Sequence, residues 1–357
     1  MPYSLVLRPR APGLTRSQRV LVQVEGEAVV AVEYRPEGPL NEPFARMAHV
    51  EPNQLLELAA KQCPSCGLAH AVALSQAIEQ LAAVQVPPRA AALRLVALEL
   101  ERASSHLRTA AAILEALDLP QLAATLTYHA TATRTALAHL THHAPERWLC
   151  VGGVAVSPGG WETSMVDQEI ARQLEPLFAL ADRLISGRAL LARTVEIGVM
   201  SAGTASQFGL AGPLARAVGL TTDLRLTAPY AAYASHPPEL VTQEGGDVYA
   251  RFVVLLLEAV EALKLADRVL HGLPAGPAQH QFDEPLPTGE AESSVEAPRG
   301  LLRYQIRTEY GKVSQVSVQP APQLDRLLAR VVLGQANLDD AALIILSCDP
   351  CDGCLPS

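Results

Sequence analysis

Apolar and polar positions alternate with a period of two early in the chain, at Leu21–Val24 and again at Ala28–Glu33. Glu25-Gly26-Glu27 between them predicts a hairpin. The segment Met1–Leu7 is also strand-like, and a Pro/Gly-containing loop covers 35–43. The period then lengthens to that of a helix, predicting helices over Asn53–Lys61, Gly67–Val84, Arg89–Leu117, Gln121–His143, Trp161–Leu191 and Asp247–Leu270. Pro120 separates the third from the fourth, and 151–160 is a Gly/Pro-rich connection. Residues 274–298 are poor in apolar side chains and read as a surface excursion. Leu302–Arg307 and Val313–Val318 return to the strand period, a helix follows near Gln323–Val332, and Ala342–Leu346 reads as a short buried strand. No internal repeat or low-complexity tract interrupts this order.

The pattern gives an α+β fold, mainly helical, with a central long-helix bundle and small peripheral antiparallel sheets. Three regions follow: an N-terminal hairpin region (1–45), a helical bundle core (46–272) and an α+β C-terminal region (273–357). Alanine-rich helices with sparse polar residues suit close packing in a bundle.

Composition narrows the functional classes. The 357 residues carry a formal charge of −9, with 49% hydrophobic and 18% charged residues, which excludes disorder as the main state. A net acidic chain with 4% aromatic residues and no Lys/Arg cluster offers nucleic acid neither a basic track nor a stacking platform. The start of the chain lacks the features of a signal peptide. The longest apolar run, Phe252–Leu257, is closed by Glu258 and is too short to span a bilayer. The expectation is a cytoplasmic chain, able to sit peripherally on the cytoplasmic face of a membrane through other subunits.

The six cysteines are Cys63, Cys66, Cys150, Cys348, Cys351 and Cys354, and five fall in two short stretches. Cys63-Pro64-Ser65-Cys66 and Cys351-Asp352-Gly353-Cys354 are both Cys-x-x-Cys turns, which bring two thiolates to one side of a metal. Structural zinc and two unrelated thiol pairs are the plain readings. Against a zinc ribbon stands the spacing, since 284 residues separate Cys66 from Cys351.

The arrangement Cys63-x-x-Cys66-x-x-x-His70, with Asp349-Pro350-Cys351-x-x-Cys354 at the far end, resembles the large subunit of nickel–iron hydrogenases. Further blocks resemble the energy-converting branch closest to the complex I 49 kDa subunit: Glu99–Leu107, Gly209–Ala217, Gly246–Arg251 and Val295–Gly300. Complex I relatives, which bind quinone, lack the four cysteines. The resemblance implies that Cys63 and Cys351 bind nickel terminally, and that Cys66 and Cys354 bridge nickel to an iron carrying cyanide and carbon monoxide. It implies reversible heterolytic cleavage of hydrogen, with a terminal thiolate or Arg299 as the base and Arg299 also holding Asp349. His70, one turn beyond Cys66, could reach back to a bridging sulfur, or could simply be packed in its helix. Glu99, Arg102 and His106 share a helix face and form either a satisfied network or part of a relay.

The chain departs from the family around the first pair, where Ala60-Lys61-Gln62-Cys63-Pro64 replaces the usual Glu-Arg-x-Cys-Gly. Ala60 and Ser357 stand where relatives bind magnesium, so no magnesium is expected there. The chain stops where a maturation protease cuts its relatives. Glu37 is the candidate proton-path glutamate and Glu33 its alternate. Implied partners are an iron–sulfur small subunit and further electron-transfer and membrane subunits. The competing readings are a complex I-like subunit, quinone-reducing or sensory, that retains a metal site, and a zinc-stapled scaffold.

Overall fold

The structure is a computed structural model and describes residues 2–8, 10–14, 18–36, 50–282, 284–320, 324 and 326–352. Its fold is α+β and about half helical. Three N-terminal strands, β1 (Tyr3–Leu7), β2 (Gln18–Glu25) and β3 (Ala28–Pro36), form an antiparallel sheet in sequence order. Alternation along β2 buries Val20, Val22 and Val24, leaving Leu21 half-buried and Gln23 exposed.

Helices then dominate: α1 (Pro52–Ala60), α2 (Gly67–Leu81), α3 (Pro88–Ala116), α4 (Pro120–Leu140) and α5 (Pro145–Trp148). Four of these begin with Pro in the first turn, where its missing N–H costs nothing. A two-stranded ladder, β4 (Leu149–Cys150) with β5 (Gly153–Val154), leads to α6 (Gly160–Ile185), α7 (Arg188–Thr194), α8 (Ala202–Gln207), α9 (Gly212–Arg216) and α10 (Leu224–Thr227). The long α11 (Val248–His271) follows, capped by Asp247, whose carboxylate accepts from Ala250 N–H at 2.7 Å. Helix α3 is the axis of the molecule, packed between α4 and α11. Among the described residues no helix is long and apolar enough to cross a membrane.

A second sheet joins β6 (Gly289–Ala297), β7 (Gly300–Glu309) and β8 (Lys312–Gln319), and the chain continues through α12 (Arg326–Leu333), a 3₁₀ turn (Leu338–Asp340) and α13 (Ala341–Ser347).

Three expectations are corrected. Residues 289–297 are a strand in full register with β7 rather than a surface excursion. Their charge misleads because Glu296 is buried against Arg216. Ala342–Leu346 is helical: a five-residue apolar run fits a buried helix as well as a strand, and Asn337 starts the preceding turn by accepting from Asp339 N–H. The helix expected over Trp161–Leu191 is two, broken at Ser186-Gly187.

Candidate metal centre

The first cysteine pair lies in the turn between α1 and α2. Cys66 is the N-cap of α2, and its carbonyl accepts the His70 N–H at 3.2 Å. The turn is pressed against α1: a Cβ at Gly67 would lie 2.1 Å from the Ala60 carbonyl oxygen, so only glycine fits. Glu101 of α3 closes the other side, accepting the Leu68 and Ala69 N–H groups at 2.8 and 3.0 Å.

Cys351 arrives from the opposite end of the chain. Helix α13 ends at Cys348, and Asp349 takes a left-handed conformation (φ 47°) that turns the chain toward α2. Asp349 is fixed by Thr109, whose hydroxyl donates to Oδ1 at 2.7 Å, and by Arg299. The guanidinium donates from Nη2 to Oδ1 (2.8 Å) and from Nε to the Asp349 carbonyl (2.9 Å). The N-terminal region clasps the same segment. Asp352 N–H donates to the Gly13 carbonyl, and Gln18 donates to Asp352 Oδ2 at 3.2 Å. A Cβ on Gly13 would fall 2.6 Å from the Pro350 carbonyl oxygen.

These supports bring Cys63 Sγ and Cys351 Sγ to 3.5 Å, far beyond a disulfide bond. Two metal–sulfur bonds of about 2.3 Å meeting at roughly 100° span that distance. Cys66 is buried beside them. Cys354 and Glu37 lie outside the described residues, as does Ser357. Glu33 sits on β3 opposite Leu21.

The site carries unspent hydrogen-bonding capacity. Arg299 Nη1 and Asp349 Oδ2 are buried and have no partner among the described residues. A group held by the thiols and in need of a donor fits there. Burial opposes the Arg299 charge, but Asp349 and the Cys351, Cys63 and Cys66 thiols outweigh it and hold the guanidinium well above its usual value. Burial lowers the His70 pKa against the pull of Cys63 and Cys351, so the imidazole is neutral near pH 7. Its Nδ1 lies 2.7 Å from the Tyr304 hydroxyl. Cys150 and Cys348 differ in kind: burial pushes the Cys150 thiol up to about 11 and raises that of Cys348.

Glu99, Arg102 and His106 belong to a buried ion lattice. Arg225 pairs with Glu99 and Asp223, while Arg216 pairs with Glu258 and Glu296. His106 Nε2 lies 3.1 Å from Glu258. Arg102 donates to the Glu296 and Ala297 carbonyls and so anchors the β6–β7 turn that carries Arg299. Thr109, Tyr304 and Glu101 complete the surroundings, and reasoning from sequence missed all three. Tyr304 had one signal, an aromatic at an inward position of β7.

Residues 139–285 match the family of the respiratory-chain NADH dehydrogenase 49 kDa subunit. The chain is 28% identical to the carbon monoxide-induced hydrogenase of Rhodospirillum rubrum over 99% of this chain and 98% of that one. It is 31% identical to an NADH-quinone oxidoreductase subunit of Salinispora arenicola over 85% of this chain and 80% of that one. A chain from the archaeal membrane-bound sulfane sulfur reductase superposes with a TM-score of 0.90 at 22% identity, covering 99% of this chain and 97% of its own, which shows the shared fold. The chain belongs to the complex I 49 kDa-like family of oxidoreductase subunits, which takes in energy-converting hydrogenases.

Proposed function

We propose that this chain is the catalytic large subunit of a nickel–iron hydrogenase, with Cys63, Cys66, Cys351 and Cys354 holding the metals. The convergence of Cys63 and Cys351 beneath a buried, half-used Arg299–Asp349 pair carries this reading. When bound, the nickel–iron group would supply the redox centre for heterolytic cleavage of hydrogen and its overall oxidation to two protons and two electrons. Thiolates suit such metals because they are soft, polarisable ligands. Arg299 keeps its charge in a buried place and presents a spare N–H beside the thiols, where it can donate a hydrogen bond to a group held there and stabilise negative charge on it. Asp349 fixes the plane of that guanidinium. Neutral His70, braced by Tyr304, stands near the Cys63 and Cys351 thiols without adding charge.

Electrons would leave through an iron–sulfur small subunit, within a larger membrane-associated assembly. A quinone-reducing or sensory subunit is the second reading, favoured by the 31% identity to a quinone oxidoreductase subunit. Metal analysis with an infrared spectrum of the purified complex separates them. Equal nickel and iron with cyanide and carbonyl stretching bands supports the hydrogenase. Absence of the cyanide and carbonyl bands, with quinone reduction intact, establishes the second reading. Zinc alone would make the site a structural staple.

A further inference from the structure

A cavity of about 230 Å³ lies between the Cys63 turn, α3 and α4, large enough for several waters. Cys63 forms part of its wall, and Lys61 and Arg134 stand at its solvent-exposed rim. Two buried hydroxyls in its lining, Ser65 Oγ and Ser105 Oγ, have no partner among the described residues. Buried hydroxyls of this kind are satisfied by water, so the cavity is wet.

Glu101 sits in the same wall. Each carboxylate oxygen accepts one backbone N–H from the start of α2, which fixes the group and leaves each oxygen a further lone pair. We propose that Glu101 is the proton-relay carboxylate connecting the Cys63 thiol to solvent through this cavity. The origin of the proton rests on the hydrogenase reading. Each transfer breaks one S–H or O–H bond and forms another, with no change of oxidation state.

The electrostatics agree. Burial raises the Glu101 pKa to about 7, against the lowering effect of the Leu68 and Ala69 N–H groups and of Arg102 and Arg299. A carboxyl poised near neutrality exchanges protons in both directions. Cys63, Lys61, Arg108, Arg134 and Glu146 are the other charged or titratable groups around the cavity. Arg108 is committed to the Pro12 carbonyl, and Lys61 and Arg134 are exposed at the rim. Glu101 is the carboxylate fixed between the start of α2 and the cavity, with one lone pair on each oxygen left for water.

The test has two arms. In infrared difference spectra of the protein as isolated, taken across neutral pH, a carboxyl band titrating near 7 should vanish in Glu101→Gln and return, shifted, in Glu101→Asp. In the metal-loaded complex, exchange of hydrogen with D2O per nickel should fall roughly a hundredfold in Glu101→Gln, the scale of a lost proton-transfer group. Conversion of para- to ortho-hydrogen, which needs no proton to leave the site, should persist, and Glu101→Asp should restore much of the exchange. A titrating band unaffected by the substitution, or exchange per nickel unchanged, overturns the relay. A parent protein without nickel overturns the hydrogenase reading, while the infrared arm still decides whether Glu101 titrates.

Discussion

Arg299 spends Nε and Nη2 on Asp349, leaving Nη1 for whatever the thiols hold. Lysine keeps the charge but lacks the planar fork and cannot grip Asp349 at two points while reaching further. Arg299→Lys is expected to keep fold and nickel content and to lower hydrogen turnover about a hundredfold. Normal hydrogen–deuterium exchange per nickel would instead make Arg299 a brace for the C-terminal turn. Among the cysteines, Cys66→Ala should lose metal and activity together. Cys150→Ala should change neither, because that thiol stays protonated and remote from any second ligand motif. Metal loss in the Cys150 variant with retention in the Cys66 variant would reverse the assignment. Cys63 and Cys351, which the structure brings together, stood out by the spacing of their motifs, whereas Arg299 and Asp349 came into view only through the family resemblance. Thr109 and Tyr304 did neither, since each meets its partner across more than two hundred residues and neither sits in a motif.

Helix α3 carries Glu99, Arg102 and His106 into a lattice with no solvent to screen it, and there a missing partner matters more than a pair contributes. Arg102→Met should destabilise the protein by about 2–5 kcal/mol, because the Glu296 and Ala297 carbonyls lose their donor while Glu99 keeps only Arg225 and Tyr233. It should also loosen the Arg299 turn, seen as reduced metal occupancy in protein that remains folded. The lattice sets an acid limit as well. Burial opposes the Glu258 charge, but Arg216 and His106 hold its pKa well below the ordinary carboxylate range. The stability it contributes is present above that range and disappears as pH falls through the depressed value, so Glu258→Gln should flatten the acid limb of a denaturation profile. At this scale the helical period was a reliable guide: α1 to α4 and α11 fall close to their expected limits. It failed at β6 and α13, where a buried charge resembled a surface residue and a short apolar run carried no period.

Across the whole molecule, one site brings residue 63 against residue 351, from opposite ends of the chain. A metal bridging these thiols closes a loop of nearly the full chain, constraining the unfolded state as a long-range cross-link does. Removing the metal should lower stability by on the order of 5 kcal/mol, read as a fall in denaturation midpoint with little loss of helix. An unchanged midpoint would mean that the protein scaffold alone sets the geometry.

The clasp of Gly13 and Gln18 on the Pro350–Asp352 segment has a consequence for timing. Synthesis runs from the N-terminus, and domains fold as they emerge. The first sheet, the bundle and Arg299 can therefore be in place while the ribosome still holds the second cysteine motif. A nascent chain stopped short of Asp349 presents two thiols, an Arg299 without its carboxylate, and an open groove beside Gly13. Were the thiols to take up metal as proposed, delivery before release would meet a half-built, accessible site, and delivery afterwards a closed turn. Docking of the Pro350–Asp352 segment would then end the window for loading.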